Sequence, residues 1–225
     1  NEDLIIAKDL RIGDTVQVKR AGEVIPQVIG PVPEKRTGDE QPWRMPTHCP
    51  VCGTARVRDE EEVAYYCPNV RCEGRRLEGL VHFTSRDAMD IRGLSYARLE
   101  QLVNAGLVSD PSDLYALTVE QIGALERFAE KSAQLLVDAI AASKAQPLSR
   151  LLFGLGLRHV GATAAELLAR HFGSMASLMR ATEEEIGEVH GIGTIIAKSV
   201  VTYFADPTAR ALVHRPALVL ADEPT

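Results

Sequence analysis

No apolar run in this 225-residue sequence approaches the roughly 20 consecutive residues that a membrane span needs. The N-terminus, Asn-Glu-Asp-Leu, has no basic region followed by an apolar core, so it does not resemble a secretory signal. The sequence also lacks an initiator methionine, which suggests a fragment or a processed chain. We therefore predict a cytoplasmic protein with no membrane partner, long enough for one large domain or two to three small ones.

An excess of basic residues is also absent. The chain has 25 Lys and Arg against 31 Asp and Glu, a net charge of −6. Because phosphates favour a basic partner, this composition argues weakly against nucleic acid binding. Backbone amides can bind phosphate without adding formal charge, however, so the composition leaves the question open.

Cysteine is scarce, and all four cysteines fall in one short window. Cys49 and Cys52 form one close pair, Cys67 and Cys72 form a second, and fourteen residues separate the pairs. Two such pairs can place four thiolates around one ion in the tetrahedron that zinc accepts. Two disulfides are disfavoured in a cytosolic chain, and a catalytic metal is disfavoured because four thiolates leave no position for water. The spacing predicts structural Zn²⁺ bound by these four cysteines.

The residues around the cysteines predict a small zinc ribbon. Residues 55–58 and 63–66 have the pattern of two short strands joined by an acidic tip. His48 and His82 lie nearby in the sequence, but we expect both to be surface or neighbouring residues rather than zinc ligands.

From about Ser85 onward the sequence is helical in pattern, and a short motif recurs in it four times. Each copy reads apolar, x, x, apolar, small, and is followed by an amphipathic run. The copies start 34, 32 and 32 residues apart, at residues 91–95, 125–129, 157–161 and 189–193.

This pattern is typical of the helix-hairpin-helix motif. A short hairpin joins two helices, and the small residue is expected to permit a positive φ or a close approach. The second helix then directs free amides outward, where they can bind a DNA phosphate without reading the bases. The alternative is a helical bundle whose glycines are simple C-caps. Four copies in register favour DNA binding over that alternative.

The hairpins also suggest which residues contact DNA. The fourth copy has two glycines and a lysine on its second helix, and the third has Arg and His beside its glycine. The second copy has Arg127 and Ala129 where glycines would be preferred, so we expect it mainly to pack. The predicted contacts in the helical half are Gly93, Lys131, Arg158, His159, Gly161, Gly191, Gly193 and Lys198.

The first forty residues have a strand-like alternation over residues 12–28, with a turn at Ala21-Gly22. Lys19 and Arg20 lie near the hairpin end, where a basic pair could contact a phosphate. An exposed charged tip that serves only solubility is the alternative. Because two or three strands do not make a stable sheet, either a preceding segment is missing or these strands pack on the zinc ribbon.

Taken in order, these segments resemble the bacterial NAD⁺-dependent DNA ligases over about residues 1–213. The resemblance rests on "NEDLIIAKDLRIGDTVQVKRAGEVIPQV", "CPVCG…CPNVRC", "IRGLS", "LGLRHVG" and "VHGIG". It implies a multidomain, mainly α protein with a truncated OB-fold β segment. The implied organisation is a partial OB-fold and linker over 1–46, a four-cysteine zinc module over 47–82, an all-α domain of four helix-hairpin-helix motifs over 83–208, and an atypical tail over 209–225.

The resemblance also implies a function. The chain would bind duplex DNA, preferably nicked, without sequence specificity, as part of a monomeric ligase that seals nicks in replication and repair. The family's nucleophilic lysine lies in a Lys-x-Asp-Gly motif that this sequence does not contain. The chain alone is therefore expected neither to ligate DNA nor to bind NAD⁺, and NAD⁺ and Mg²⁺ would act through other domains. A non-ligase DNA-binding module and a structural zinc-containing interaction module are the alternatives.

The last dozen residues depart from the ligase pattern. Residues 214–225 resemble the Walker B strand of an ABC-type ATPase, in which an Asp helps to hold Mg²⁺ and a Glu activates water. The matching residues are Asp222 and Glu223. Because the sequence has no Walker A loop or signature motif, we assign this segment no function.

Overall fold

A computed structural model describes residues 1–22, 24–58, 63–69 and 72–214. The chain forms two compact units, Asn1–Glu73 and Gly74–Thr225. A short β segment and the four cysteines lie in the first unit, and helices make up the second, which confirms the predicted fold class. The acidic tip at 59–62 and the residues that resemble a Walker B strand from 215 onward lie outside the described residues.

The first unit combines one short helix with four short strands. The strands form two antiparallel sheets of two strands each, β1 with β4 and β2 with β3. A single 3₁₀ turn, Pro33–Lys35, follows β3. The elements are α1 (Glu2–Ala7), β1 (Arg11–Ile12), β2 (Val16–Ala21), β3 (Ile25–Pro31) and β4 (Gln41–Pro42).

The β2–β3 hairpin has the register that the alternating sequence predicts. Val18 pairs with Val28, and the chain reverses after Ala21 through Gly22, whose φ is +50°. Val18 and Ile25 stay 55% and 67% exposed. The β segment therefore buries little apolar surface of its own, as expected for a two-stranded ribbon.

Ionic contacts around Arg36 hold the first unit's loops together. The Arg36 guanidinium bridges two carboxylates, 2.7 Å from Asp14 and 2.7 Å from Asp9. The Asp14 side chain is only 1% exposed, and its hydrogen bonds with Arg36 lower its pKa to about 2. This bridge fixes the turn between α1 and β2 to the loop that follows β3.

The second unit is helical throughout the part that the structure describes. Hairpins at residues 91–95, 125–129, 157–161 and 189–193 join its helices in pairs, as the repeat predicts. The helices are α2 (Glu73–Thr84), α3 (Tyr96–Asn104), α4 (Pro111–Leu114), α5 (Val119–Gly123), α6 (Glu130–Ser143), α7 (Leu148–Gly154), α8 (Ala162–Phe172), α9 (Met175–Arg180), α10 (Glu183–Gly187), α11 (Thr194–Ala205) and α12 (Pro207–His214).

A continuous apolar core runs from α2 to α12. Phe83, Leu102, Leu152 and Leu168 are completely buried in it. Gly154 allows α7 to approach α2 closely, since a Cβ there would lie 3.3 Å from both Phe83 and Ala88. The core holds the four hairpins in fixed positions within this unit.

The core predicts a contrast between two leucines. Leu152→Ala removes a fully buried side chain, so we expect the free energy of unfolding to fall by about 2 to 5 kcal/mol. Leu135→Ala is the matched control, because Leu135 is 60% exposed, and its effect should stay within about 0.5 kcal/mol. Urea unfolding followed by circular dichroism at the helix band measures both. Equal losses would contradict the assigned core.

Candidate metal centre and nucleic-acid interface

The four cysteine sulfurs converge on one point in the first unit. All four Sγ atoms lie within 4.8 Å of one another. The Cys49 and Cys72 sulfurs are 3.8 Å apart, and the Cys52 and Cys67 sulfurs are 3.5 Å apart. A zinc ion bound at about 2.3 Å by four thiolates would place the sulfurs about 3.8 Å apart. The cluster therefore fits a tetrahedral zinc ion, and its spacings are too long for the roughly 2.05 Å bond of a disulfide.

A tight turn presents the first pair of thiols. Gly53 has a φ of +68°, and its amide donates to the Cys49 carbonyl at 2.9 Å. The Cys49 amide in turn donates to the Thr54 carbonyl at 2.8 Å. Only a residue without Cβ adopts this φ without strain, so Gly53 closes the turn that brings Cys49 and Cys52 together.

The surroundings of the sulfurs favour thiolates at the first pair. A hydrogen bond with the Thr54 hydroxyl, helped by the Thr54 amide, lowers the pKa of Cys52 to about 5. Hydrogen bonds from the backbone amides of Cys52 and Val51 lower the pKa of Cys49. Burial raises the pKa of Cys67 to about 11. Since zinc binds the thiolate form, the first pair is already prepared to bind it.

The ribbon around the cysteines is smaller than the sequence pattern suggests. In place of two continuous strands, the described residues show two isolated bridges, His48 with Ala55 and Val57 with Tyr66. The two histidines lie outside the sulfur cluster, as expected. His48 contacts the Thr47 hydroxyl at 2.9 Å. His82 belongs to the second unit, where its Nε2 lies 2.8 Å from the Phe153 carbonyl.

Tyr65 connects the cysteine loop to the N-terminal helix. Its hydroxyl donates to the Glu2 carboxylate at 2.8 Å, and its ring lies between the guanidinium groups of Arg56 and Arg58 at 5.5 and 5.6 Å. Arg58 also contacts Asp3 at 2.7 Å. The β segment and the zinc module are thus joined by polar and cation–π contacts rather than by an apolar core.

In the second unit, all four hairpins place their third residue in the left-handed region. The φ angles are +95° at Gly93, +65° at Arg127, +63° at His159 and +90° at Gly191. The expectation that the small fifth residue has a positive φ is wrong, because residues 95, 129, 161 and 193 are all extended. The fifth residue instead is the N-cap of the next helix.

The second hairpin shares this backbone although it has no glycine. The Phe128 amide donates to the Leu125 carbonyl at 3.3 Å, as the Val160 amide does to Leu157 and the Ile192 amide to Val189. Ala129 has φ −101° and ψ 157°, within the extended range of its counterparts. The backbone therefore gives no reason to separate this hairpin from the other three.

The helices after the hairpins begin without the side-chain caps found elsewhere. Asp110, Thr118, Ser174 and Thr182 cap α4, α5, α9 and α10 through their side chains. By contrast, the N-caps of α6, α8 and α11 make no side-chain cap bond; these are Ala129, Gly161 and Gly193. Only at the first hairpin does Ser95 accept from an amide, that of Arg98. The first amides of the three uncapped helices can therefore bind a partner.

Two of these N-caps are glycines for which the fold itself has no use. A Cβ added at Gly161 or Gly193 would meet nothing within 4 Å, and both residues are extended. At Gly191, by contrast, a Cβ would lie 2.9 Å from the Leu167 side chain. Gly191 is thus required by packing and by its φ, whereas the other two glycines keep the helix ends open to the outside.

The predicted basic side chains lie beside these helix ends. Lys131 is the second residue of α6 and Lys198 is the fifth residue of α11, and both are exposed. His159 is exposed at its hairpin, and the Arg158 carbonyl accepts from Ser199 at 2.5 Å. In the first unit, exposed Lys19 and Arg20 lie on β2 opposite Gln27 and Pro26, close to the hairpin turn.

In the part of the chain that the structure describes, every helix is too short or too polar to cross a bilayer.

Four family models match the chain in succession. Residues 1–40 match the NAD-dependent DNA ligase OB-fold domain, and residues 48–73 match the NAD-dependent DNA ligase C4 zinc finger domain. Residues 85–142 match a SAM-like helix-hairpin-helix tandem, and residues 150–213 match a helix-hairpin-helix motif. Each pair of hairpins is thus covered by its own helix-hairpin-helix model.

Similar proteins are bacterial proteins named DNA ligase. The chain is 66% identical over 215 residues to that of Gemmatimonas aurantiaca, a match that covers 96% of this chain and 31% of the relative. The proteins of Pelotomaculum thermopropionicum and Bacillus cereus are 51% and 55% identical, with 96% of this chain and 32% of each relative covered. The chain spans about a third of the length of these curated relatives.

The sulfur geometry predicts one zinc ion per chain. We expect Cys67→Ser to lose this zinc during dialysis, because three thiolates hold the ion less tightly than four. His48→Ala is the matched control and should retain it, since the imidazole lies outside the sulfur cluster. Elemental analysis of the purified variants measures the zinc content. Zinc retained by Cys67→Ser, or lost by His48→Ala, would contradict the assignment.

Proposed function

Because the chain belongs to the NAD-dependent DNA ligases, whose OB-fold and C4 zinc finger domains it carries in succession, we propose that it supplies sequence-independent duplex binding to an enzyme that seals nicks in replication and repair. The observation that carries this proposal is the set of uncapped helix N-termini behind the left-handed hairpins. They offer backbone donors to phosphate at three places on one rigid unit.

Each hairpin would bind one stretch of the DNA backbone through its amides. Phosphate oxygens accept from the first amides of the helix, and the helix dipole favours the negative charge there. Lys131 and Lys198 lie within the first turns of α6 and α11, where they add formal positive charge. These contacts fix the position of the duplex but carry no sequence information. Lys19 and Arg20 of the β2–β3 hairpin would add a contact from the first unit.

The zinc ion would have a structural role. With Zn²⁺ bound, Cys49, Cys52, Cys67 and Cys72 complete its coordination and leave no position for water or substrate. Its chemistry is therefore to close the loop around residues 49–72 and not to activate a nucleophile. Through Tyr65 and Arg58, the closed loop also holds α1 in place.

The ligation chemistry would require other parts of a longer protein. A ligase of this family transfers AMP from NAD⁺ to a lysine and then to the 5′-phosphate at the nick. The 225 residues contain no Lys-x-Asp-Gly motif to supply that lysine. We propose that this chain holds the duplex, while NAD⁺ and Mg²⁺ bind elsewhere in the enzyme. A preference for nicked DNA, a monomeric state and a cytoplasmic location stay predictions.

A salt titration tests the proposed function. We expect the chain to bind nicked and intact duplexes of unrelated sequence, with log affinity falling linearly as log salt rises. Fluorescence anisotropy with labelled duplexes measures this, with and without a chelator that removes zinc. Affinity that does not respond to salt would contradict a phosphate clamp. Failure of a folded, zinc-loaded sample to bind at low salt would contradict DNA binding itself.

Two neighbouring glycines give a sharper prediction. Gly193→Ala should weaken duplex binding about tenfold while leaving stability nearly unchanged, because its methyl group meets only the incoming phosphate. Gly191→Ala should instead lower the free energy of unfolding by about 1 to 2 kcal/mol, because its φ is +90°.

Gly187→Ala is the matched control for these variants. A Cβ there also meets nothing within 4 Å, but the residue lies at the end of α10, away from the uncapped helix N-terminus. It should change neither the binding nor, by more than about 1 kcal/mol, the stability. Anisotropy and thermal unfolding distinguish the three variants. If Gly193→Ala bound like Gly187→Ala, the amide contact at the fourth hairpin would be ruled out.

A further inference from the structure

An open groove of about 510 Å³ lies between α3 and the second hairpin. It separates the first two hairpins of the helical unit, so a partner that follows both hairpins would pass over it. Among the residues that line it are Ser95, Arg98, Gln101, Asn104, Arg127 and Phe128.

Arg98 is held in place at the wall of this groove. Its guanidinium donates to the Gly93 carbonyl at 2.7 Å and stacks 4.6 Å from the centre of the Phe128 ring. Gln101, one turn further along α3, donates to the Glu126 carbonyl at 3.0 Å. The two residues tie α3 to both hairpins and fix the position of the Arg98 charge before any ligand arrives.

Arg127 stands at the other side of the groove in an unfavourable backbone conformation. Its φ is +65°, at the position that is glycine in the first and fourth hairpins. Within the described residues, no hydrogen bond or ion pair holds its exposed side chain. The fold therefore gains little from a side chain here, although a left-handed arginine costs conformational energy.

The charge balance of the groove selects the kind of anion it can bind. Glu100 and Glu126 also line it, so two guanidinium groups face two carboxylates and the sum is zero. A small free anion would gain little from such a site. A phosphodiester that is already held by the neighbouring hairpins needs only a local positive group, and the two arginines provide it.

We propose that Arg98 and Arg127 form a phosphodiester-binding cleft for duplex DNA between the first two hairpins. The inference rests on the proposed function, because the neighbouring hairpins deliver the phosphate. It assigns the second hairpin a direct role in binding, in contrast to the expectation that it mainly packs. Arg98 is the fixed wall of the cleft, and Arg127 is the residue whose loss the fold tolerates.

Arg127→Gly tests the cleft without endangering the fold. Glycine relieves the left-handed strain, so the melting temperature should stay the same or rise. Duplex affinity at low salt should fall about tenfold, and the slope of log affinity against log salt should shrink by about 1, because one phosphate contact is lost. Arg127→Lys keeps the charge and should retain the slope. The measurement is anisotropy on intact duplex at several salt concentrations, with melting recorded for every variant.

Arg170→Ala is the matched control. It also removes one exposed arginine, but from the last turn of α8, at the end opposite its hairpin, and its slope should equal that of the unsubstituted chain. An unchanged slope in Arg127→Gly, or a lowered melting temperature with unchanged affinity, would overturn the cleft while leaving the proposed function intact. Failure of the unsubstituted chain to bind would overturn both.

Discussion

The helical unit depends on the left-handed residue at the centre of each hairpin. That single φ reverses the chain between two apolar residues, so that both can point into the core. In the third and fourth hairpins these flanking residues are Leu157, Val160, Val189 and Ile192, all at most 6% exposed. Because the apolar pair fixes the hairpin to the core, the residue between the pair faces outward and the next helix starts at a defined position.

The first unit reaches order by a different route. The described part of its β segment buries little apolar surface, and α1 contains no buried residue. Polar contacts replace a core, namely the Arg36 bridge between Asp9 and Asp14 and the Tyr65 contact with Glu2. Exposed contacts of this kind each stabilise little, so a bound metal is the strongest constraint available to so small a segment.

The sequence was enough to predict the cysteine cluster and the position of the hairpins, because both are spacing patterns. It misplaced the positive φ, since an arginine or histidine carries no signal for a left-handed conformation that packing on both sides imposes. For the same reason Arg127 looked like a defect in the second repeat. The ribbon strands reduced to single bridges because the turns around the thiols, and not strand propensity, set the path of that loop.

The acidic balance of the chain is compatible with DNA binding because of where the acidic residues lie. In α4, α5 and α10 the first turn carries acidic residues, three of them in α10. There the helix dipole is already neutralised within the protein. The first turns of α3, α8 and α11, which follow hairpins, contain none. Only α6 has one, Glu130, and it is also the helix whose hairpin carries Arg127. An arginine beside that carboxylate restores the positive potential that the other hairpin helices have from their amides alone, which gives the second hairpin a physical reason for its one basic residue in a strained position.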